Sequence, residues 1–256
     1  MLTIREEQME VFEEVALQKF EDDMVAHVKV FAPKRSASLA DDVIREVVQM
    51  GIERAKEYGL TNRGPVRFFI EMVFMFGSEF DTDPQYPWAG AVLNDAQTPD
   101  QMERAARLYT KTKDYTAKVA GPERKYQHLA LQRLRAWNYQ GLRMSEQDHE
   151  GNVFEADMIA DLKSIYPEKC EYAGEPAIRE VVRQAVMQTE EYAFLAPGAQ
   201  AVLGALMFFL GHQCFFDPQF PWIESTLIDE GIVDDAEKAR LLHSKLGERI
   251  ENEVRE

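Results

Sequence analysis

Apolar residues recur at helical spacing along nearly the whole chain. Met9, Phe12, Ala16, Phe20, Met24, Val28 and Phe31 step by threes and fours, which lines them up on one face of a long first helix that Pro33 ends. Ser38 and Asp41 stand at capping-box spacing and open a helix that carries Val43, Val47 and Met50 inward and finishes near Gly59. RFFIEMVFMFGSEF is apolar on most sides and predicts a buried central helix. Thr98 as cap, Pro99 in the first turn and Gln101 reaching back predict a helix over TPDQMERAARLYTK. GPERKYQHLALQRLRAWNYQGL reads as one more helix, opened by Pro122. AQAVLGALMFFLG predicts a second central helix, and a last helix starts near Asp234. No alternating strand pattern of useful length is present, so the expected fold is all-α.

The chain also matches itself at one fixed shift. Asp83–Trp88 (DPQYPW) falls on Asp217–Trp222 (DPQFPW), Phe74 on Phe208, Gly77 on Gly211, and Ile44–Val48 (IREVV) on Ile178–Val182. Met24, Pro33, Tyr58 and Glu103 fall on Met158, Pro167, Tyr192 and Glu237. The period is far longer than the ~20–50 residues of a solenoid repeat, so it reads as duplication of a whole small domain. The expected organisation is a helical repeat over 1–121, a connecting helix and linker over 122–152, and a second helical repeat over 153–256, packed about a pseudo-twofold axis. The linker proper is Ser145–Asn152, polar with Gly and Asn.

The repeated phrase carries the most chemistry. Pro84 and Pro87, like Pro218 and Pro221, bias the residue before them away from helix, and Asp before Pro favours a turn. Tyr86 and Trp88, and Phe220 and Trp222, add large apolar surface. The reading favoured is a rigid corner that pins the next short helix to the core, with Asp83 and Asp217 accepting backbone N–H bonds. A binding pocket built on the Trp and the acid is the alternative. Arg45 and Arg179 flank the buried stripes of the IREVV segments, and one expectation pairs Arg45 with Asp83 and Arg179 with Asp217; solvated arginines are the other. Gly51, Gly59, Ser78, Phe80 and Asp81 become Ala185, Ala193, His212, Cys214 and Phe215 at the same shift, which marks either the surfaces of a partner dedicated to one half or drift between the copies.

A formal net charge of −16 argues against nucleic-acid binding, which needs Lys and Arg to neutralise phosphates, and permits a basic protein partner. Cys170 and Cys214 have no C-x-x-C spacing and fit a reducing compartment. The charged opening MLTIREEQMEVFEE is unlike a signal peptide. The longest apolar run, from Ala201, is about half the ~20 residues needed to cross a bilayer, so no membrane insertion and a cytoplasmic location are expected. Phosphate loops, dinucleotide fingerprints, the G-x-S-x-G elbow and H-E-x-x-H are missing. His212 and Cys214, two apart, point to different helix faces and make a poor zinc pair. FDTDPQ echoes a calcium loop but lacks its glycine and glutamate. The expectation is a non-enzymatic protein with no catalytic, metal or cofactor-binding residues, though carboxylates converging in three dimensions stay open.

MLTIREEQMEVFEE…KFEDDMVAHVKVFAP, VIREVVQMGIERAKEYGL and FFIEMVFMFGSEFDTDPQYPWA together resemble a family of uncharacterised bacterial proteins encoded beside spike, PAAR and toxic-effector genes of type VI secretion systems. The resemblance covers about residues 1–95, and the internal repeat extends it to the second half. It implies a protein partner, and brings no catalytic residues with it. The implied roles are an adaptor or co-chaperone that holds an effector, a spike or a chaperone, or an immunity protein that blocks a basic toxin domain. A regulatory ligand-binding module or an enzyme with a site between the repeats is the remaining alternative.

Overall fold

Pro33 ends the first helix, as its missing N–H requires, and at once starts another. The computed structural model describes residues 6–142, 152–194 and 198–254, and these are all-helical, with no strand among them. In chain order the helices are α1 (Glu6–Phe31), α2 (Pro33–Ser36), α3 (Asp41–Glu57), α4 (Arg63–Phe76), α5 (Pro87–Leu93), α6 (Gln101–Val119), α7 (Lys125–Ala136), α8 (Asn152–Ile165), α9 (Pro167–Ala173), α10 (Glu175–Glu191), α11 (Ala199–Leu210), α12 (Pro221–Leu227) and α13 (Asp235–Val254). The 145–151 part of the expected linker lies outside the described residues, as does His149.

The two central helices are α4 and α11. In α11 only Gln200 and Phe209 escape full burial, as its nearly continuous apolar sequence demands. Helix α3 packs on α4 and α10 on α11, through matching stripes: Ile44, Val47 and Val48 in one, Ile178, Val181 and Val182 in the other. The stripe of α3 is turned by one position from expectation, so Val43 and Met50 are half-buried while Gly51 and Ala55 are buried. A Cβ on Gly51 would lie 3.0 Å from Ile70 Cγ1, whereas in α10 and α11 the larger residue has changed sides, with Ala185 facing Gly204. Met158 Cε fills the space beside Gly204, 3.0 Å from where a Cβ there would lie.

Four local expectations are corrected. Ser38 donates to Arg35 O instead of capping α3, whose first position follows Ala40; the charges of Asp41 and Asp42 complement its N-terminus instead. Helix α6 is capped by Asp100, which accepts from Glu103 N at 2.9 Å, not by Thr98, whose hydroxyl donates to Asp95. Gln101 does not reach back: its Oε1 accepts from Thr61 N and Asn62 N, tying the start of α6 to the start of α4. Nor does Pro122 open α7 directly. It starts a 3-10 turn at Pro122–Arg124 in which Glu123 and Arg124 have left-handed φ, and α7 begins only at Lys125.

The apolar stripe of α1 is fully buried only around its Met24–Val28 turns, with Phe20 half-buried and Phe31 exposed. Met24 and Val28 reach the core, whereas Phe12 is 62% exposed and Val15 58%. The helix runs past the body that should cover it.

One hydrophobic core joins the halves. Tyr115 and Val119 of α6, Tyr166, and Phe76 belong to the same buried cluster as α11, and α6 packs on α9, α2 on α13 and α7 on both α8 and α13. Among the described residues no helix is long and apolar enough to cross a membrane. With a shared core the protein is expected to unfold in urea in one transition, with the fluorescence of Trp88, Trp137 and Trp222 and far-UV circular dichroism giving coincident curves. Two separated transitions would mean two independent bundles.

Candidate functional site

Both repeated phrases form the corner expected of them. After α4 and α11 the chain turns, and α5 and α12 start at Pro87 and Pro221. Tyr86 and Phe220 are buried, and Trp88 and Trp222 pack half-buried against the core. Asp83 Oδ1 accepts from Gln85 N at 2.8 Å and Asp217 Oδ1 from Gln219 N at 2.9 Å, which closes each turn locally.

The second oxygen of each acid crosses to the other half. Asp83 Oδ2 accepts from His212 N at 2.9 Å, and Asp217 Oδ2 accepts from Ser78 N at 2.8 Å. The glutamines follow: Gln85 Nε2 donates to Met207 O at 3.1 Å and Gln219 Nε2 to Val73 O at 3.2 Å, so each phrase bonds the last turn of the opposite central helix. The helix ends come close because glycine terminates both. Gly77 (φ +107°) and Gly211 (φ +110°) sit where a Cβ would fall 2.8 Å from Leu210 O and Phe76 O respectively. The carboxylates are nearly fully buried. Burial pushes the Asp217 carboxyl above its usual range, against the bonds from Gln219 and Ser78 that favour the ionised form.

Arg45 and Arg179 do not join this junction. Arg45 pairs with Asp22 at 2.5 Å and Glu21 at 3.4 Å, and Arg179 with Glu155 and Glu175. The reason is position: the arginines lie at the partly exposed edge of α3 and α10, while the corner acids are sealed below. Of the substituted positions Gly59 and Ala193 are exposed, and most of the others are not. Ser78, His212, Phe80, Cys214, Asp81 and Phe215 are buried, not partner-facing. Asp81 is held by Arg54 at 2.6 Å and by the Tyr58 hydroxyl at 2.7 Å, which accounts for the acidic pair in FDTDP without an ion. Among the described residues no group of three or more His, Cys, Asp or Glu could hold a metal.

Sequence reasoning passed over Gln85 and Gln219, although both sit inside the repeated phrase. It also passed over Arg35 and Lys169, which the same shift superposes. Each donates to a carbonyl near the end of its own central helix, Arg35 to Phe74 O and Lys169 to Phe208 O. A cation at a helix C-terminus complements the dipole. Lys169 is the more unusual, for it is buried, lies over the Phe208 ring (4.6 Å) and the Tyr86 ring (5.5 Å), and makes no ion pair among the described residues. Burial lowers its pKa to about 8 and raises that of the neighbouring Cys170 thiol to about 12.

Both basic residues border a cleft of about 640 Å³ between the halves. Its floor is aromatic, with Phe76, Tyr86, Tyr115 and Tyr166 buried there; its rim carries the exposed Lys34, Glu123 and Arg124. Burial pushes the three tyrosine hydroxyls up, so they stay neutral; Tyr166 donates to Val119 O at 2.8 Å and Tyr115 is hydrogen-bonded to Tyr86.

Replacing Asp83 or Asp217 by Ala leaves two buried backbone donors unpaired in each case, His212 N with Gln85 N or Ser78 N with Gln219 N, and is expected to destabilise the protein by roughly 3 kcal/mol in urea denaturation. A loss below about 1 kcal/mol would show the crossing bonds to be dispensable. Lys169 titrates near 8 in the fold against 10.5 unfolded, so between these values the unfolded chain holds more protons and the stability contribution of Lys169 rises with pH. Wild type is therefore expected to gain on Lys169→Met by up to about 1.4 kcal/mol per pH unit across that window, read from urea curves at each pH. A constant difference would contradict the burial of a charged Lys169.

Comparison with protein-family models, with curated proteins and with solved structures finds no match.

Proposed function

We propose that this is a non-catalytic protein-binding accessory factor, an adaptor or co-chaperone for a type VI secretion effector, acting in the cytoplasm and docking through the first half of α1. One observation carries the docking element. The apolar stripe of α1 continues past the body, leaving Val11, Phe12 and Val15 each more than half exposed on adjacent turns. Apolar side chains at this spacing are the form in which a helix fits a hydrophobic groove. Glu13 and Glu14 lie beside the stripe, and the whole chain carries −16, so the partner surface is apolar with a basic border. The link to secretion rests on the sequence resemblance. The net acidity also suits the second reading, an immunity protein that captures a basic toxin domain.

We further infer that the halves are copies of one unit related by a pseudo-twofold axis at the junction. The support is that contacts come in shifted pairs: Asp83 with His212 N and Asp217 with Ser78 N, Gln85 with Met207 O and Gln219 with Val73 O, Arg45 with Glu21 and Arg179 with Glu155.

The experiment is affinity capture of the tagged protein from its native cells, wild type beside Phe12→Ser/Val15→Ser, with co-expression of the neighbouring toxin. The adaptor reading expects an effector, spike or chaperone to be retained by wild type and reduced at least tenfold by the double variant, with toxicity unchanged. Rescue of growth and binding of the toxin domain alone would replace it with immunity. Equal capture by both proteins would remove α1 from the interface. Because these side chains cover nothing, the variant's unfolding curve is expected to match wild type.

A further inference from the structure

The geometry points to the cleft between the halves as a binding site for a small organic anion, a carboxylate with an apolar body, independent of the α1 face. Charge is the first argument. The chain as a whole is strongly negative, yet the cleft gathers Lys34, Arg35, Arg124 and Lys169 against the single acid Glu123. A local field opposite to the overall one repels cations and concentrates anions where a low-dielectric wall is near.

Lys169 is the second argument. A buried ammonium has three donors to satisfy and a large desolvation cost. The Phe208 carbonyl takes one bond and the Tyr86 hydroxyl is 3.4 Å away; no carboxylate of the described residues pairs with it. A carboxylate head supplies a further acceptor and adds to the charge of the buried Asp83 that already favours the ammonium, with the Tyr86 hydroxyl close by to donate. Arg35, its counterpart in the first half, borders the same space, so cations from both halves converge on one cleft.

Shape and lining decide the body. About 640 Å³ lies within the range of organic-ligand pockets, roughly 300–1,000 Å³, and far exceeds a bare inorganic ion. The aromatic floor and the apolar side chains of Met75, Phe209 and Ile250 offer no replacement for the hydration shell of phosphate, but bury a hydrocarbon or ring well.

Isothermal titration calorimetry of the full chain with sodium octanoate at neutral pH tests this, with 1-octanol and inorganic phosphate as the uncharged and the body-less probes. Octanoate is expected to bind saturably at one site per chain, octanol at least tenfold more weakly, and phosphate without saturation. Lys169→Met is expected to weaken octanoate at least tenfold. Two surface variants keep the test independent of whether Lys169→Met folds: Lys34→Glu is expected to weaken octanoate several-fold, and Thr116→Trp, at the exposed edge of the cleft, to block it. No saturable octanoate binding, octanol binding as tightly as octanoate, or affinity unchanged in both surface variants would overturn the proposal.

Discussion

Two buried carboxylates, each bonded to a backbone N–H just beyond the end of the opposite central helix, are the constraint on which the molecule is built. Helix C-termini carry partial negative charge, so placing an acid beside one is unfavourable unless N–H groups are aimed at it. Here the chain turns straight after Gly77 and Gly211, and the next residue presents its N–H to the acid from the other half. Glycine makes the approach possible, because the two backbones meet where no side chain fits. Lys169 is part of the same balance: Asp83 favours its charged form against burial, and it bonds the carbonyl of Phe208 one turn back. The aromatic cluster of Phe76, Tyr86, Trp88 and Tyr115 packs around this junction and continues to Tyr172 of α9.

Much of this was legible in the sequence, and the remainder was hidden for physical reasons. Helical periodicity and the apolar runs located α3, α4, α10 and α11, because burial on one or most faces leaves a local record. The corner was legible because Pro before an aromatic residue fixes backbone locally. What a local pattern does not carry is the direction of a side chain across space. Asp83 and Asp217 have two acceptor oxygens each; the one closing the turn follows from the phrase, while the one reaching the other half depends on how the halves meet. Arg45 and Arg179 were drawn to the wrong acids for the same reason, since Glu21 and Glu155 lie far away in sequence but next to them across a helix pair. Thr98 lost the cap of α6 to Asp100 because Asp95 engages its hydroxyl. Signals for Gln85, Gln219, Arg35 and Lys169 were present, as polar residues kept or chemically matched at shifted positions.

The two unusual regions bear different relations to this frame. The first half of α1 lies outside it, an apolar stripe without a cover, and its exposure requires no rearrangement of the body. The cleft lies at its centre, where helices of both halves leave space lined by aromatic rings and cations. The first suits a large partner with a groove, and the second a small molecule. Neither uses the corner acids, which are consumed in holding the halves together.

The exchange of acids has a consequence for how the protein responds to dilution. Each half completes the end of its central helix with groups supplied by the other. In separate chains that completion would be a second-order event, favoured at high concentration and lost at low. Joined in one polypeptide, each acid meets its helix end at an effective concentration set by the connecting chain alone. The integrity of the junction is therefore insensitive to how scarce the protein is.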